Sequence, residues 1–278
     1  MKTKIFTLIG GIALCYAHNS TAAQTDILLY QAPHSYDDKS FRKDGTTTGL
    51  YAAYSSTSGY VFEGAVEKTQ IDYKFGTDLD QTDITLAFTN NSQGNHSYRL
   101  GLHGISTDDK NTDKALTAFA GYRYYHPYDD YYEASLYYTG YPDNNTDKQV
   151  WQIVPKIGKY LGDPITTGTF LLQSKLNLIA RETGSSYFSA EAEIYWYYGD
   201  VSLNVGVWKG SQLYAVRNDG FIVYNQGDKH TGGHKFEAGY ALTDNFSLKA
   251  GISQEQITET TGNEVDFSVY TLSLGFTF

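Results

Sequence analysis

Polar and apolar residues alternate along many short segments of this chain. In residues 270–278, every even position holds a bulky apolar or aromatic residue and every odd position holds Thr, Ser or Gly. The same alternation occurs over 116–124, 188–198 and 246–253. A period of two places alternate side chains on opposite faces of a β-strand. The pattern therefore predicts an all-β protein whose strands have one apolar and one polar face.

Fourteen strands can be placed along the chain. They are 25–32, 48–56, 60–74, 81–91, 96–106, 114–126, 130–141, 148–159, 168–181, 187–198, 201–209, 232–242, 245–257 and 265–278. Short turns alternate with longer or more polar loops near 33–47, 107–113, 142–147, 210–231 and 258–264. This layout is typical of a single antiparallel transmembrane β-barrel with short periplasmic turns and longer outer loops. Twelve or sixteen strands are the alternatives, because strand ends placed from sequence shift by a few residues.

Prolines test this assignment, because proline cannot donate a hydrogen bond to a β-ladder. Pro155 falls inside the predicted strand 148–159. We expect either a bulge at that position or a strand that lies elsewhere. The other four prolines, including Pro33, are expected in or beside connections.

The N-terminus has the layout of a secretory signal peptide over residues 1–23. A short basic start precedes an apolar run of about ten residues, and small residues follow it. Cleavage after Ala23 would leave a barrel of residues 24–278 and remove Cys15, the single cysteine of the chain. Thiol catalysis, disulfides and cysteine metal sites are then excluded in the processed protein.

Composition narrows the function classes. The formal net charge is −10, from 21 basic and 31 acidic residues. A general nucleic-acid binder needs a basic face, so we expect no nucleic-acid partner. Aromatic residues make up 15% of the chain and include 26 tyrosines. Many aromatic residues with few long apolar runs suit a barrel that has a thin apolar belt and a wet interior.

The last strand resembles the C-terminal strand of Gram-negative outer-membrane β-barrel proteins, which are porin-like in their pattern. Those proteins end in an aromatic residue, usually Phe, preceded by alternating apolar residues, and the barrel-assembly machinery recognises this signal. The matching residues here are Tyr270, Leu272, Leu274, Phe276 and Phe278. The resemblance is confined to this strand and identifies no subfamily. It implies a location in the Gram-negative outer membrane, with lipid, lipopolysaccharide and the assembly machinery as partners.

If the apolar face of each strand meets lipid, the polar face lines the barrel interior. Six acidic residues, seven basic residues and one histidine lie on that face. They are Glu63, Glu67, Arg99, His103, Arg123, Glu133, Lys156, Lys175, Arg181, Glu191, Glu193, Lys235, Glu237 and Lys249. A Lys or Arg at mid-membrane on the lipid face would cost about 2–4 kcal/mol, so the restriction to one face supports this assignment. These residues are the predicted pore lining.

A hydrophilic channel for small solutes is the function that this pattern favours. Fourteen strands enclose more space than the eight whose side chains can fill a barrel. Facing Arg, Lys and Glu side chains are also how pores set ion preference. The alternative is an interior packed by salt bridges. Residues 210–231 form the longest connection, and we favour its folding inward as a constriction over its standing outside.

Two other function classes stay open. A receptor, adhesin or structural barrel would act through the loops 33–47 and 210–231. An outer-membrane hydrolase or acyltransferase could use a rim site near His103, with Asp108 and Asp109 beyond the same strand. An Asp–His pair can activate water or a hydroxyl, but the sequence places no nucleophile beside it. We therefore expect no enzyme and assign no catalytic residues.

Two acidic groups are candidate sites for hard cations. Asp78, Asp80 and Asp83 are predicted in one outer loop, and residues 108–113 carry three further aspartates. Clustered carboxylates suit hard cations, but solvated loop acids are the simpler interpretation. His230 and His234 have no evident third ligand. We expect neither a metal nor another cofactor.

Overall fold

The chain forms a closed antiparallel β-barrel, seen in a computed structural model that describes residues 22–126, 129–144 and 148–278. Each barrel strand pairs with the next one along the chain, and the last strand closes on the first. The barrel strands are β1 (Gln24–Tyr36), β2 (Arg42–Ser55), β3 (Tyr60–Tyr73), β4 (Leu79–Gln93), β5 (His96–Thr107), β6 (Leu116–Tyr125), β7 (Asp130–Gly140), β8 (Gln149–Asp163), β9 (Gly168–Arg181), β10 (Ser186–Tyr198), β11 (Val201–Gln212), β14 (Lys229–Ala241), β15 (Phe246–Thr258) and β16 (Glu264–Thr277). The predicted signal peptide lies almost wholly outside the described residues.

The connection between β11 and β14 contains the remaining elements. These are β12 (Val216–Arg217), a single 3-10 turn (Asn218–Gly220) and β13 (Ile222–Val223). The two short strands pair only with each other, so the barrel itself has fourteen strands. The predicted all-β fold and strand number are confirmed. The described residues contain no helix long and apolar enough to span a membrane.

The two ends of the barrel differ in the length of their connections. At the end that carries both described termini, the connections are two to four residues long. At the other end they range from four to sixteen residues. Short turns mark the periplasmic end of an outer-membrane barrel. Two of them begin with Gly94 and Gly199, at φ of +65° and +58°, where a glycine avoids the strain that a side chain would bring.

The first outer loop is much shorter than predicted. The predicted loop 33–47 is wrong, because β1 and β2 continue as paired strands and leave only residues 37–41 as the connection. Thr46, Thr47 and Thr48 belong to β2. Threonine is β-branched and suits a strand, but a run of threonines carries no apolar alternation. The apolar periodicity of the sequence therefore does not mark this part of the strand.

Two prolines lie inside barrel strands. Pro155 pairs with Ala134 of β7, and Pro33 pairs with Thr46 of β2. Pro155 interrupts the ladder between β8 and β9, and Pro33 interrupts the ladder between β1 and β16. Beyond each proline, the pairing resumes in the same register. The expectation that Pro33 lies in a connection is wrong, and Pro155 causes neither a register shift nor a displaced strand. Because proline has no backbone N–H, each proline removes hydrogen bonds from the ladder at its own position, and the order of the strands is unchanged.

The outer face of the barrel is apolar and has aromatic residues near its ends. On β5, Leu100 and Leu102 are 58% and 51% exposed, whereas Arg99 and His103 point inward. Near the turn end, Tyr98 and Tyr122 approach at 5.4 Å between ring centroids. Near the opposite end, Tyr138 and Trp151 approach at 4.7 Å. Aromatic residues at both interfaces around an apolar band are typical of transmembrane barrels.

Glycines on the inner face make room for lumen aromatics. A Cβ on Gly101 of β5 would overlap the ring of Phe119 on β6. A Cβ on Gly104 of the same strand would meet no atom within 4 Å. The close approach of Phe119 therefore requires glycine at position 101 and not at position 104.

We expect Gly101→Ala to destabilise the barrel by about 1–3 kcal/mol, because the Phe119 ring must move out of a packed position. Gly104→Ala is the matched control on the same strand and should unfold like the wild type. Urea unfolding in lipid vesicles, followed by tryptophan fluorescence, measures the difference. Equal unfolding midpoints for both variants would contradict the packing argument.

Candidate functional site in the barrel lumen

The connection between β11 and β14 folds into the barrel. Residues 213–228, called the lumen loop below, replace the longer predicted loop 210–231 because both flanking strands extend further. The tip of the lumen loop turns at Asn218 and Asp219, which have φ of +49° and +53°. Asn and Asp tolerate this left-handed conformation better than other side chains. The favoured inward folding of this loop is what the structure shows.

Hydrogen bonds and ion pairs fasten the lumen loop to the barrel wall. The Gln152 side chain accepts a bond from the Val216 amide at 2.7 Å and donates one to its carbonyl at 2.9 Å. Asn225 donates to Gln81 at 2.7 Å. Where the loop rejoins β14, Asp228 is 2.7 Å from the buried guanidinium of Arg42. The loop is thus held by β2, β4 and β8 together.

Apolar packing fills the lumen on one side of this loop. Tyr214 packs on Tyr141 at 5.0 Å between centroids, and Ala215 and Val216 are fully covered. They join one apolar cluster with inner-face residues of β4 to β9. A second cluster of tyrosines, with Tyr131 and Tyr195 at its centre, occupies the inner face of β7 to β10 near the turn end. This part of the interior is packed and not open.

A network of ion pairs ties the loop tip to the same wall. Lys156 lies 3.1 Å from Glu133 and 2.9 Å from Asp219 at the loop tip. Arg123 donates two hydrogen bonds to Glu133, at 2.8 and 2.6 Å. Each of these charges is largely buried, so removal of one partner would leave the other uncompensated in a medium of low dielectric.

The network continues around β9, β10 and β14. Glu191 lies 3.0 Å from Lys175 and 3.3 Å from Arg217 of the lumen loop. Glu193 lies 2.9 Å from Lys235 and 3.5 Å from Lys175. Alternation of acids and bases along neighbouring strands neutralises this wall. The alternative of a salt-bridged interior is therefore correct for one part of the lumen.

The second half of the loop is held against β14 and β15. The Tyr224 ring stacks on His230 at 4.0 Å, and its hydroxyl donates to Glu255 at 3.0 Å. Burial raises the pKa of Tyr224, so the hydroxyl keeps its proton and acts as the donor. Glu255 also contacts Arg217 at 2.8 Å and His230 at 2.7 Å. These contacts fix the loop across the middle of the lumen.

A cavity of about 400 Å³ lies on the other side of the lumen loop. Its wall is formed mainly by strands β1 to β5 and β14 to β16, together with loop residues 217–228. Ile71 and Gln81 line it near the outer end of their strands, and Asn91 and Ser97 line it beside the short turn at the opposite end. The cavity therefore extends along most of the barrel height.

The predicted pore residues divide between this cavity and the packed side. Eight of the fourteen line the cavity: Glu63, Glu67, Arg99, His103, Arg123, Glu133, Lys235 and Glu237. The other six lie on the lumen face outside the cavity wall: Lys156, Lys175, Arg181, Glu191, Glu193 and Lys249. Their participation in transport stays a prediction. The apolar side chains of the last strand face outward, and Tyr270, Leu272 and Phe278 are 47%, 54% and 71% exposed.

His103 does not occupy the predicted rim site. It lies in the middle of β5, its Nδ1 shares a hydrogen bond with Thr85 at 2.8 Å, and its Nε2 is 3.4 Å from Asp83. Asp108 instead accepts a bond from the Asp80 amide, and Asp109 accepts bonds within its own turn. The Asp–His pair with Asp108 or Asp109, which was considered only as an alternative, does not form, because His103 bonds to Thr85 inside the barrel and the two aspartates bond within the outer connections.

Two lumen carboxylates escaped the sequence analysis. Asp83 was expected in an outer loop but lies in β4 and lines the cavity. The predicted strand 81–91 already contained Asp83, and Asp83 is an even number of residues from the inward-facing Ala87, so the alternation would have placed it on the lumen face. Asp219 at the loop tip belongs to the run Asn218-Asp219-Gly220, which is a turn signal that marks a hairpin. The turn was visible in the sequence, but its contact with Lys156 was not.

Comparison with known proteins shows a shared fold. No protein-family model and no curated protein matches the sequence. The solved structure of CymD, a monoaromatic hydrocarbon channel, is 9% identical; the match covers 92% of this chain and 88% of CymD, with a TM-score of 0.57. The Ralstonia pickettii toluene transporter TbuX is 8% identical, with coverages of 92% and 89% and a TM-score of 0.54. The Acinetobacter baumannii outer membrane protein Omp33 is 9% identical, with coverages of 92% and 99% and a TM-score of 0.53.

These likenesses support the barrel architecture and not a particular solute. The fold implied by the resemblance to Gram-negative outer-membrane β-barrel proteins is confirmed, and the outer-membrane location stays a prediction. Two of the three proteins are by name a channel and a transporter, and none is an enzyme by name.

We expect Gln152→Leu to loosen the lumen loop. The substitution leaves the buried amide and carbonyl of Val216 without partners, at a cost of about 1–3 kcal/mol for each group. Hydrogen exchange measured by mass spectrometry should be faster in peptides from 213–228. Gln254→Leu, on the outer face of β15, is the control and should not change exchange in the loop. Unchanged protection in Gln152→Leu would contradict this anchoring role.

Proposed function

We propose that this protein is an outer-membrane channel for small hydrophilic solutes. The observation that carries the proposal is the cavity of about 400 Å³ that lies between the lumen loop and the strands β14 to β16 and β1 to β5. A packed structural barrel would have no need of such a space along its height. Polar and charged side chains on its wall can replace part of the hydration shell of a passing solute.

The tip of the lumen loop supports a constriction. Phe221 packs edge-on against Tyr51 at 5.5 Å between ring centroids, and the Arg99 guanidinium lies 5.6 Å from the Phe221 ring. Arg99 in turn pairs with Glu63. These four side chains all line the cavity, and Phe221 is the one that the loop carries into it. The width of the passage therefore depends on the position of the loop.

The competing functions have weaker support. A receptor or adhesin was expected to act through the loops 33–47 and 210–231, but the first is mostly strand and the second is mostly buried in the lumen. A hydrolase at His103 lacks the carboxylate partners that were expected at the rim. A channel needs an open space along the barrel, and the cavity supplies it.

Single-channel recording in planar bilayers tests the proposal. The refolded barrel should give steady conductance steps, and a salt gradient should displace the reversal potential. Barrels without conductance, whose folding is verified by heat-modifiable gel mobility, would overturn the channel function.

We expect Phe221→Ala to raise the single-channel conductance by about one and a half to two times, because it removes the ring that the loop tip projects into the passage. The control is Phe188→Ala, which removes a lipid-facing ring and should leave conductance unchanged. An unchanged conductance in Phe221→Ala would show that the constriction lies elsewhere.

Assembly and targeting complete the proposal. Residues 1–23 would direct export and be removed, leaving residues 24–278. The outward-facing strand that ends in Tyr270, Leu272, Leu274, Phe276 and Phe278 would be recognised by the barrel-assembly machinery. Lipid and lipopolysaccharide would then surround the apolar belt.

We expect Phe278→Ala to reduce the amount of folded protein in the outer membranes of cells several-fold, with little effect on refolding in detergent, because it removes the terminal aromatic ring of the proposed signal. Phe62→Ala is a lipid-facing control near the same end of the barrel. Cell fractionation and heat-modifiable mobility provide the measurement. Equal insertion of both variants would contradict an assembly role for Phe278.

A further inference from the structure

Two carboxylates face each other inside the cavity. Glu67 of β3 and Asp83 of β4 are directly opposite in the ladder, and both line the cavity. Like charges at directly opposite positions of neighbouring strands are destabilising unless another charge compensates them. Asp83 is buried and Glu67 is half-buried, so water screens their charges less than it screens charges on the surface.

The hydrogen-bond partners of this pair are neutral donors. Tyr30 donates to Glu67, and the Gln81 amide donates to both oxygens of Asp83, at 3.0 and 2.8 Å. Over the described ranges of the chain, no Lys or Arg forms an ion pair with either carboxylate. The nearby Arg99 is paired with Glu63. Lys and Arg therefore do not balance the negative charge at this point of the wall, and the basic group beside it is His103, at 3.4 Å from Asp83.

An open hydrogen-bonding position lies beside the pair. His103 is 1% exposed and lines the same cavity. Its Nδ1 is occupied by Thr85, but Nε2 is buried and has no hydrogen-bond partner among the residues that the structure describes. The 3.4 Å from this nitrogen to Asp83 exceeds a normal hydrogen bond. An unsatisfied buried group in a native site calls for an explanation, and a bound solute provides one.

The remaining cavity wall is apolar in part. Phe221, Ile222 and Val223 of the lumen loop and Phe267 and Val269 of β16 line it. A volume of about 400 Å³ lies within the range of small-molecule sites, which are mostly apolar with a few placed polar groups. A fully hydrated inorganic ion would gain nothing from this apolar surface. A solute with an apolar body and one charged group would contact both kinds of surface.

The cavity wall as a whole carries more negative than positive side chains, as the Glu67 and Asp83 pair does. Eight carboxylate residues line it, against four Lys or Arg residues, and two further cations behind the wall, Arg42 and Lys156, pair with Asp228 and Asp219. An excess of two carboxylates remains. A narrow space with walls of one net sign concentrates counter-ions of the opposite sign. An anionic solute would be disfavoured beside Glu67 and Asp83.

We propose that the channel selects small organic cations, in which a protonated amine is attached to an apolar body, and that Glu67 and Asp83 bind the ammonium group. This inference rests on the proposed channel function and names its solute class. The apolar side chains of the lumen loop and β16 would contact the body of the solute. The lumen loop would thus contribute to the solute selectivity of the channel as well as to the width of its passage.

Reversal potentials of the wild-type channel give the first test. With potassium chloride on one side and benzylammonium chloride on the other, both cations should carry current and chloride should carry little. Sodium benzoate has a similar ring and the opposite charge, and its anion should be poorly permeant. A preference for chloride or benzoate over the cations would overturn the inference while leaving the channel function intact.

Substitutions locate the selective site. Glu67→Gln combined with Asp83→Asn should lower the permeability ratio of benzylammonium to chloride by about threefold or more, since the counter-ion concentration depends on these charges. Each single variant should give a smaller decrease. Glu264→Gln removes one exposed carboxylate at the outer rim and is the matched control. An equal effect of the rim variant would overturn the assignment to Glu67 and Asp83.

Binding provides a test that does not need conduction. Calorimetric titration of the detergent-solubilised barrel with benzylammonium should give saturable binding that Glu67→Gln weakens and Glu264→Gln leaves unchanged. A folded barrel that binds benzylammonium but carries no current would refute the channel function and retain the cation site. A barrel that conducts without cation preference and binds no benzylammonium would refute the cation site alone.

Discussion

Backbone hydrogen bonding inside lipid is the constraint on which the rest of this structure depends. An unpaired amide or carbonyl in the hydrocarbon core costs several kcal/mol, so a sheet that crosses a membrane must close on itself. Pairing of β1 with β16 achieves this closure, and the ladder is continuous enough to absorb the two prolines within it. Closure at fourteen strands then creates an interior that side chains of the wall alone do not fill.

The lumen loop determines how that interior is used. Its first half packs against an apolar cluster, and its tip joins the ion pairs around Lys156. Its second half is bound to Glu255 on β15. One side of the lumen is therefore packed, and the other side keeps a cavity that extends along the barrel. The salt-bridged core that the sequence analysis left open as an alternative occupies one part of the barrel, and an open cavity occupies another.

The packed side and the open side of the lumen differ in the placement of their charges as well as in their free volume. On the packed side, acids and bases alternate, as in Glu193 between Lys175 and Lys235. On the open side, Glu67 and Asp83 adjoin each other with neutral donors for support. The first arrangement stabilises a loop and a wall, because each buried charge has its counter-charge. The second leaves two adjacent carboxylates facing the cavity.

Alternation by itself determined the all-β class and the side on which each strand residue lies, because a period of two fixes the side of every residue in a strand. It favoured fourteen strands over twelve or sixteen, and the closed barrel decided the number. Alternation failed at Thr46 to Thr48 and at Pro33, where strand pairing continues without apolar alternation. Tertiary structure alone decided which inward residues are packed and which are open. That outcome depends on where residues 213–228 cross the lumen, and contacts such as Asp219 with Lys156 join positions far apart in the chain that no local pattern encodes.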